Sequence, residues 1–190
     1  LKDDGSELHV VIDLPGRPVD LKVWQVRVGR VVLYMLDSDV AANSEHDRDI
    51  THRLYGGDRT TRVEQEIILG IGGTRVLAAL GLKPTVWHAN EGHAAFLVLE
   101  RARALVAKGL DFAAALEAVA VNTVFTTHTA VPAGHDHFSE ETMRAYFADY
   151  CRETGISHEA LMSLGRTAAS PDFNMTALAV RGSRYQNGVS

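Results

Sequence analysis

Residues 84 to 150 read strand, helix, helix, strand, helix, and that order constrains the fold more than any other feature of the chain. Pro84–His88 is a short apolar strand. A helix from about Gly92 to Lys108 follows, closed by Gly109, and a second opens on Asp111 as its cap and carries Phe112, Leu116 and Val119 on one face. Val121–Thr127 is another short strand, rich in β-branched residues, and a helix spans about Glu140–Arg152. Strands joined through helices pair in parallel, so this part has an α/β fold. Open α/β sheets bind ligands beyond the carboxyl ends of their strands. Both ends here are polar turns bearing histidine, His88-Ala89-Asn90-Glu91-Gly92-His93 and Thr126-Thr127-His128-Thr129.

Upstream, Leu8–Leu14, Val19–Val28 and Val31–Leu36 alternate apolar and polar residues, with Gly16 and Gly29-Arg30 as turns, which predicts an antiparallel meander. The stretch from Asp37 through Asp49 is polar without periodicity and reads as a long loop, of the kind that is functional or mobile. From Asp58 a helical stripe runs through Val63, Ile67, Ile71, Val76, Leu77 and Leu80, with Asp58 as cap and Gly81 at its end. His158–Leu164 and Asn174–Gln186 read as further helices. The expected organisation is a single partial domain over 1-190, with a meander at 1-36, a loop at 37-57 and an α/β portion at 58-190. Leu1 at the start and a helix-like run before Ser190 fit an internal piece of a longer protein.

Hydrophobic and charged fractions of 46% and 23% exclude disordered and fibrous classes. A formal charge of −5 argues against sequence-independent nucleic-acid binding, which needs clustered Lys and Arg. No apolar run approaches the ~20 residues of a membrane span. The single cysteine, Cys151, fits a reducing cytosol and lies in an amphipathic helix, where a buried, inert thiol is the default. A cytoplasmic protein is expected.

Several chemistries compete for the polar turns. His88, Asn90, Glu91 and His93 include zinc-type donors, but their spacing is not that of two imidazoles one helical turn apart. Capping of the helix near Gly92, with Glu91 at its positive end, explains the same residues without a metal. A sugar site is compatible with these residues, because hydroxyls require short, fixed donors and acceptors. A lone histidine such as His128 is more often a packed or surface residue, but its position after a strand, among hydroxyl and imidazole groups, favours a functional reading. His135 and His137 fall on a loop, where simple solvation would explain them. Gly70-Ile71-Gly72-Gly73 interrupts a helix instead of joining strand to helix, so close packing explains it better than a phosphate cradle. Asp37, Asp39 and Glu91 are candidate carboxylates for glycoside hydrolysis, although no spacing in the chain pairs an acid with a base.

Taken together, Trp87-His88-Ala89-Asn90-Glu91-Gly92-His93-Ala94-Ala95-Phe96, the run Phe125 to Asp136 through Thr127-His128-Thr129, and Arg53-Leu54-Tyr55-Gly56-Gly57-Asp58 resemble the α-glucan (glycogen/starch/maltodextrin) phosphorylases in their shorter bacterial and archaeal form. Gln65 to Gly73, Phe173-Asn174-Met175-Thr176 and Asn187-Gly188-Val189-Ser190 fit the same pattern, over residues 20 to 190. The resemblance implies a hexosyltransferase of GT-B type with two Rossmann-like domains, this chain being the later part of the amino-terminal one. It implies phosphorolysis of an α-1,4-glucan by orthophosphate to glucose 1-phosphate, with pyridoxal 5'-phosphate held by a lysine of the carboxyl-terminal domain, outside this chain. By motif, His128 resembles the histidine that binds the transferred glucose, with Thr129 next to it. Asn90, Glu91 and His93 resemble the turn beside the glucan channel, and Asp37–Asp49 corresponds to the mobile segment that gates the site in longer members, from which this form differs. The implied partners are the glucan, orthophosphate and the carboxyl-terminal domain, with a homodimer allowed and no nucleic acid, membrane or metal. A GT-B synthase using a nucleotide sugar and a non-catalytic carbohydrate-binding α/β domain are the alternatives.

Overall fold

A computed structural model describes residues 5–53, 57–128 and 135–189. The chain divides into two compact units, Leu1–Lys83 and Pro84–Ser190.

The first unit is built on an antiparallel meander, β1 (His9–Leu14), β2 (Arg17–Val28) and β3 (Val31–Asp37), as the alternation predicts. Gly16 and Gly29 turn the chain at φ of 75° and 60°, where a side chain would be strained. Val10, Ile12 and Leu14 on β1 and Val19, Leu21 and Val23 on β2 form the buried face. The expected loop after β3 contains a helix, α1 (Glu45–Asp49), capped by Ser44. Ser38 is fully buried and bonds Thr51, and Asn43 donates to the carbonyls of Asp20 and Ser38, so the segment is tied down at several points. Across the buried face of the meander lies a continuous helical run: α2 (Arg59–Ile67), a π-helical turn (Ile68–Gly72) and α3 (Gly73–Ala79). The Asp58 carboxylate caps α2 by accepting from the Thr61 N–H at 2.9 Å. A Cβ at Gly72 would sit 3.1 Å from Leu21 Cδ1, so this glycine does permit close approach of helix to sheet. Arg17 joins α1 to α2, bonding Asp47 at 2.7 Å and buried Glu64 at 2.8 Å.

The second unit is α/β. Strands β4 (Trp87–Asn90), β5 (Thr123–Thr127) and β8 (Tyr185–Gly188) form a parallel sheet in the order β4-β5-β8, and a two-residue pair, β6 (His137–Phe138) with β7 (Phe173–Asn174), lies apart from it. Helices α4 (Phe96–Val106) and α5 (Phe112–Val121) cross from β4 to β5, and α6 (Glu140–Thr154), α7 (His158–Gly165) and α8 (Met175–Arg181) complete the unit. Phe96 is the hub of the core: its ring lies 4.8 Å from Phe147 and 6.3 Å from both Phe138 and Phe173. The helix expected over Asn174–Gln186 ends instead at Arg181, and the next residues form β8. Gly182 caps the helix end, glycine being needed there because a Cβ would lie 2.5 Å from Val98, and the Ser183 hydroxyl donates back to the Ala179 carbonyl at 2.7 Å.

Three stability predictions follow from these surroundings. His9 lies 2.9 Å from Asp20 and 3.4 Å from Glu7, and the Asp20 hydrogen bond, the largest cause, raises its pKa above 6.5. The stabilisation is therefore complete below that value and is lost as pH rises through the higher folded-state value. Urea midpoints measured across this window should vary with pH in the wild type and less so in Asp20→Asn. In the second unit, a Cβ at Gly165 would lie 2.5 Å from the buried Phe173 ring. Gly165→Ala should cost about 1–3 kcal/mol by overpacking. Gly73→Ala, in open helical space, should be neutral or stabilising by up to ~1 kcal/mol in the same assay.

Candidate functional site

The carboxyl ends of β4 and β5 come together because the strands pair in register, Trp87 with Thr123 through Asn90 with Thr126. At the opposite end of the pair, Arg101 of α4 fixes the starts of both strands. Its guanidinium stacks 4.5 Å from the Trp87 ring, donates to Thr123 Oγ1 at 2.7 Å and reaches the Asn122 side chain. These partners are neutral, and burial pushes its pKa down to about 10.

At the polar edge the two turns interlock. The Glu91 N–H continues the ladder to the Thr126 carbonyl at 2.9 Å. The Glu91 carboxylate accepts from the backbone N–H of His128 through Oε1 and from the Thr127 hydroxyl through Oε2 at 3.3 Å. His128 Nε2 donates to Asn90 Oδ1 at 2.7 Å on the exposed side. That assignment puts the imidazole proton on Nε2 and leaves Nδ1 of the neutral ring as an acceptor. A second chain of bonds crosses the sheet beneath. The Thr126 hydroxyl donates to Asn187 Oδ1 of β8 at 2.6 Å, so His88 Nε2, also 2.6 Å from that hydroxyl, must donate to it.

A third wall comes from segments far apart in the chain. His93 Nδ1 lies 3.3 Å from Asp136, and the Asp136 carbonyl accepts from the Met175 N–H at 3.0 Å. His135 Nδ1 is 2.7 Å from Thr176 Oγ1, in the first turn of α8. Gly92 allows this approach, since a Cβ would lie 3.2 Å from the Thr176 nitrogen. His135 and His137 are half-buried and bonded: His135 lies in the loop before β6 against Thr176, and His137 lies on β6 with Asn174 at 3.2 Å. Asp136 and Thr176 carry no local signal, because the contacts join residues some forty positions apart.

The structure thus brings His128, Asn90 and Glu91 together and places His93 on the adjoining side of the same turn. Thr129 lies outside the described residues, as do Leu54 to Gly56 and Ala130 to Gly134 of the quoted motifs. The residues that include zinc-type donors are engaged with protein groups: His88 with Thr126, Asn90 and Glu91 with the ring and backbone of His128, and His93 with Asp136. The other carboxylates are engaged as well: Asp37 accepts from the Trp24 indole at 2.9 Å and Asp39 from Arg48 at 2.6 Å. Burial pushes the Cys151 thiol up, away from the nucleophilic thiolate. Among the described residues, no helix is long and apolar enough to cross a membrane.

No family model matches the chain. A maltodextrin phosphorylase of Thermococcus litoralis is 43% identical over 188 residues, 99% of this chain and 22% of that protein. A glycogen phosphorylase of Mycobacterium tuberculosis is 42% identical across the whole chain, which covers 25% of it. One from Aquifex aeolicus is 32% identical, again across the whole chain, and is covered to 28%. The chain is homologous to one segment of the phosphorylases. It spans about a quarter of the length of the curated relatives it matches. The His-bearing turns, which carry the resemblance, fall within the aligned span of these phosphorylases.

The relay under the edge yields a direct test. Thr126→Val keeps the shape but removes the hydroxyl that joins β4 to β8, leaving His88 and Asn187 to find other partners. A loss of about 1–2 kcal/mol in urea unfolding is expected. Nitrogen-15 NMR of the wild type should show the neutral His88 ring protonated at Nε2, and this preference should weaken in the variant.

Proposed function

We propose that the protein containing this chain is an α-glucan phosphorylase, a cytoplasmic hexosyltransferase that cleaves α-1,4-glucan with orthophosphate to release glucose 1-phosphate. The observation that carries the reading is similarity of 41–43% identity to glycogen and maltodextrin phosphorylases over essentially the whole chain. The polar edge agrees with it in kind, since it offers rigid donors and acceptors of hydroxyl-binding type instead of imidazoles converging on one point. No comparison favours the synthase or the binding-domain alternative.

In this reading, His128 holds the transferred glucose through a sugar hydroxyl, with Nδ1 as acceptor, and Thr129 lines the wall beside it. Asn90, Glu91 and His93 form the turn that borders the glucan channel, with Asn90 also fixing the His128 ring. Phosphorolysis develops positive charge at the anomeric carbon, so a sugar held in one orientation while charge develops lowers the barrier. The pyridoxal phosphate of the family has no lysine at this edge. Lys108 is the only lysine of residues 84–190 and lies beyond the end of α4 remote from the turns, and Lys22 of the first unit is paired with Glu7. The family resemblance puts the Schiff-base lysine in the carboxyl-terminal domain, outside this chain.

The full-length protein, mixed with maltodextrin and orthophosphate, should release glucose 1-phosphate, and removal of pyridoxal phosphate should abolish the release. His128→Ala should lower kcat/KM by roughly 10²-fold through loss of sugar positioning. A variant as active as the wild type would exclude that role for His128.

A further inference from the structure

We propose that Glu91 is a positioning residue whose inward-turned carboxylate fixes His128, and not a contact for the glucan itself. The proposal rests on the reading of this edge as the glucose site. Glu91 has φ 65° and ψ 172°, and it is the one non-glycine residue with positive φ among those described. That backbone region is essentially reserved for glycine, and strain of this kind persists where the surroundings hold it in place. Glycine at 91 would make the turn without strain, so what glutamate adds must come from its side chain. That side chain points inward, with the residue only 8% exposed. Its two oxygens accept from two successive groups of the other turn, the Thr127 hydroxyl and the His128 N–H. Asn90, the preceding residue, takes the His128 ring. Residues 90 and 91 therefore hold His128 at both backbone and ring. A carboxylate engaged in this way orients the histidine instead of binding a sugar hydroxyl from the channel.

The test uses the full-length, cofactor-loaded protein. Glu91→Gly relieves the backbone and removes the carboxylate, so its thermal midpoint should be kept while kcat falls on the order of 10²-fold. The glucan KM should stay near the wild-type value. Glu91→Gln can still accept from the His128 N–H, with its amide donating to Thr127, and should retain most of the activity. Combining Glu91→Gly with His128→Ala should be no slower than His128→Ala alone, because both remove one function. Hydrogen exchange at the His128 amide, read without any substrate, should be slow in the wild type and Glu91→Gln and faster in Glu91→Gly. A raised glucan KM with kcat and His128 exchange unchanged would make Glu91 a glucan contact and overturn the proposal. So would a Glu91→Gln variant as impaired as His128→Ala. If the wild type forms no glucose 1-phosphate, the phosphorylase reading fails, and the exchange data separately decide whether the carboxylate clasps His128.

Discussion

Parallel pairing of β4 with β5 is the constraint on which the second unit depends. Two parallel strands cannot be joined by a hairpin, and the chain must return through a crossover long enough to span the sheet. Here that crossover is α4 and α5, and α4 buries every residue from Phe96 to Ala102. Because the crossover brings both strands back in the same direction, their carboxyl ends meet at one edge. The register then sets Asn90 beside Thr126 and the Glu91 turn beside the His128 turn. Arg101 secures the opposite end, so α4 is fixed near the site at its start and to the first residue of each strand through its middle. A guanidinium buried among neutral partners is costly, and the depressed pKa of Arg101 reflects that cost. The stack on Trp87 and the bonds to Thr123 and Asn122 offset it and fix the helix along the pair.

What was legible in the sequence follows from which interactions are local. Caps are local, and the sequence therefore points correctly to Asp58, to Asp111 with the Ala114 N–H at 2.9 Å, and to Gly81 at φ 69°. The meander and the two central strands are legible because burial on one face imposes a period of two, or a short apolar run. Strand β8 is not, since Tyr185, Gln186, Asn187 and Gly188 are all exposed and show no apolar alternation. It exists because its backbone pairs with β5, a contact some sixty residues away. Helix α1 escaped for a related reason. Five residues are too few to display a helical period, and the only signal was Ser44 ahead of Glu45 and Asp47.

The distal half of the β2–β3 hairpin departs from the pattern in another way. Trp24, Val26 and Val28 pair across the strands with Met35, Leu33 and Val31, and all six are exposed. The alternation that marks a half-buried strand identifies these residues as strand but assigns them to a buried face, and periodicity alone cannot tell which face a neighbour covers. At the polar edge the sequence marked the residues but not their contacts. His128, Asn90 and Glu91 stand out in the chain as polar residues after apolar strands, yet whether a carboxylate faces a ligand or the backbone of the next turn is a tertiary fact. The positive φ of Glu91 is likewise invisible in sequence, where such a position would suggest glycine or asparagine.

The rigidity of this edge bears on how a small polar ligand could be held there. Ordering flexible groups on binding subtracts from affinity, and a hydroxyl-rich ligand gains little from apolar burial, so the groups that meet it should be ordered beforehand. Three kinds of bond do this ordering here. The ladder joins β4, β5 and β8, the His88–Thr126–Asn187 relay crosses the sheet below the turns, and the Glu91 carboxylate ties one turn to the next. In the relay each link carries one proton from donor to acceptor, and a satisfied network of this sort stiffens its surroundings where a half-satisfied one would weaken them. The strain at Glu91 fits the same logic: the residue least suited to its backbone position is the one whose side chain ties the two turns together.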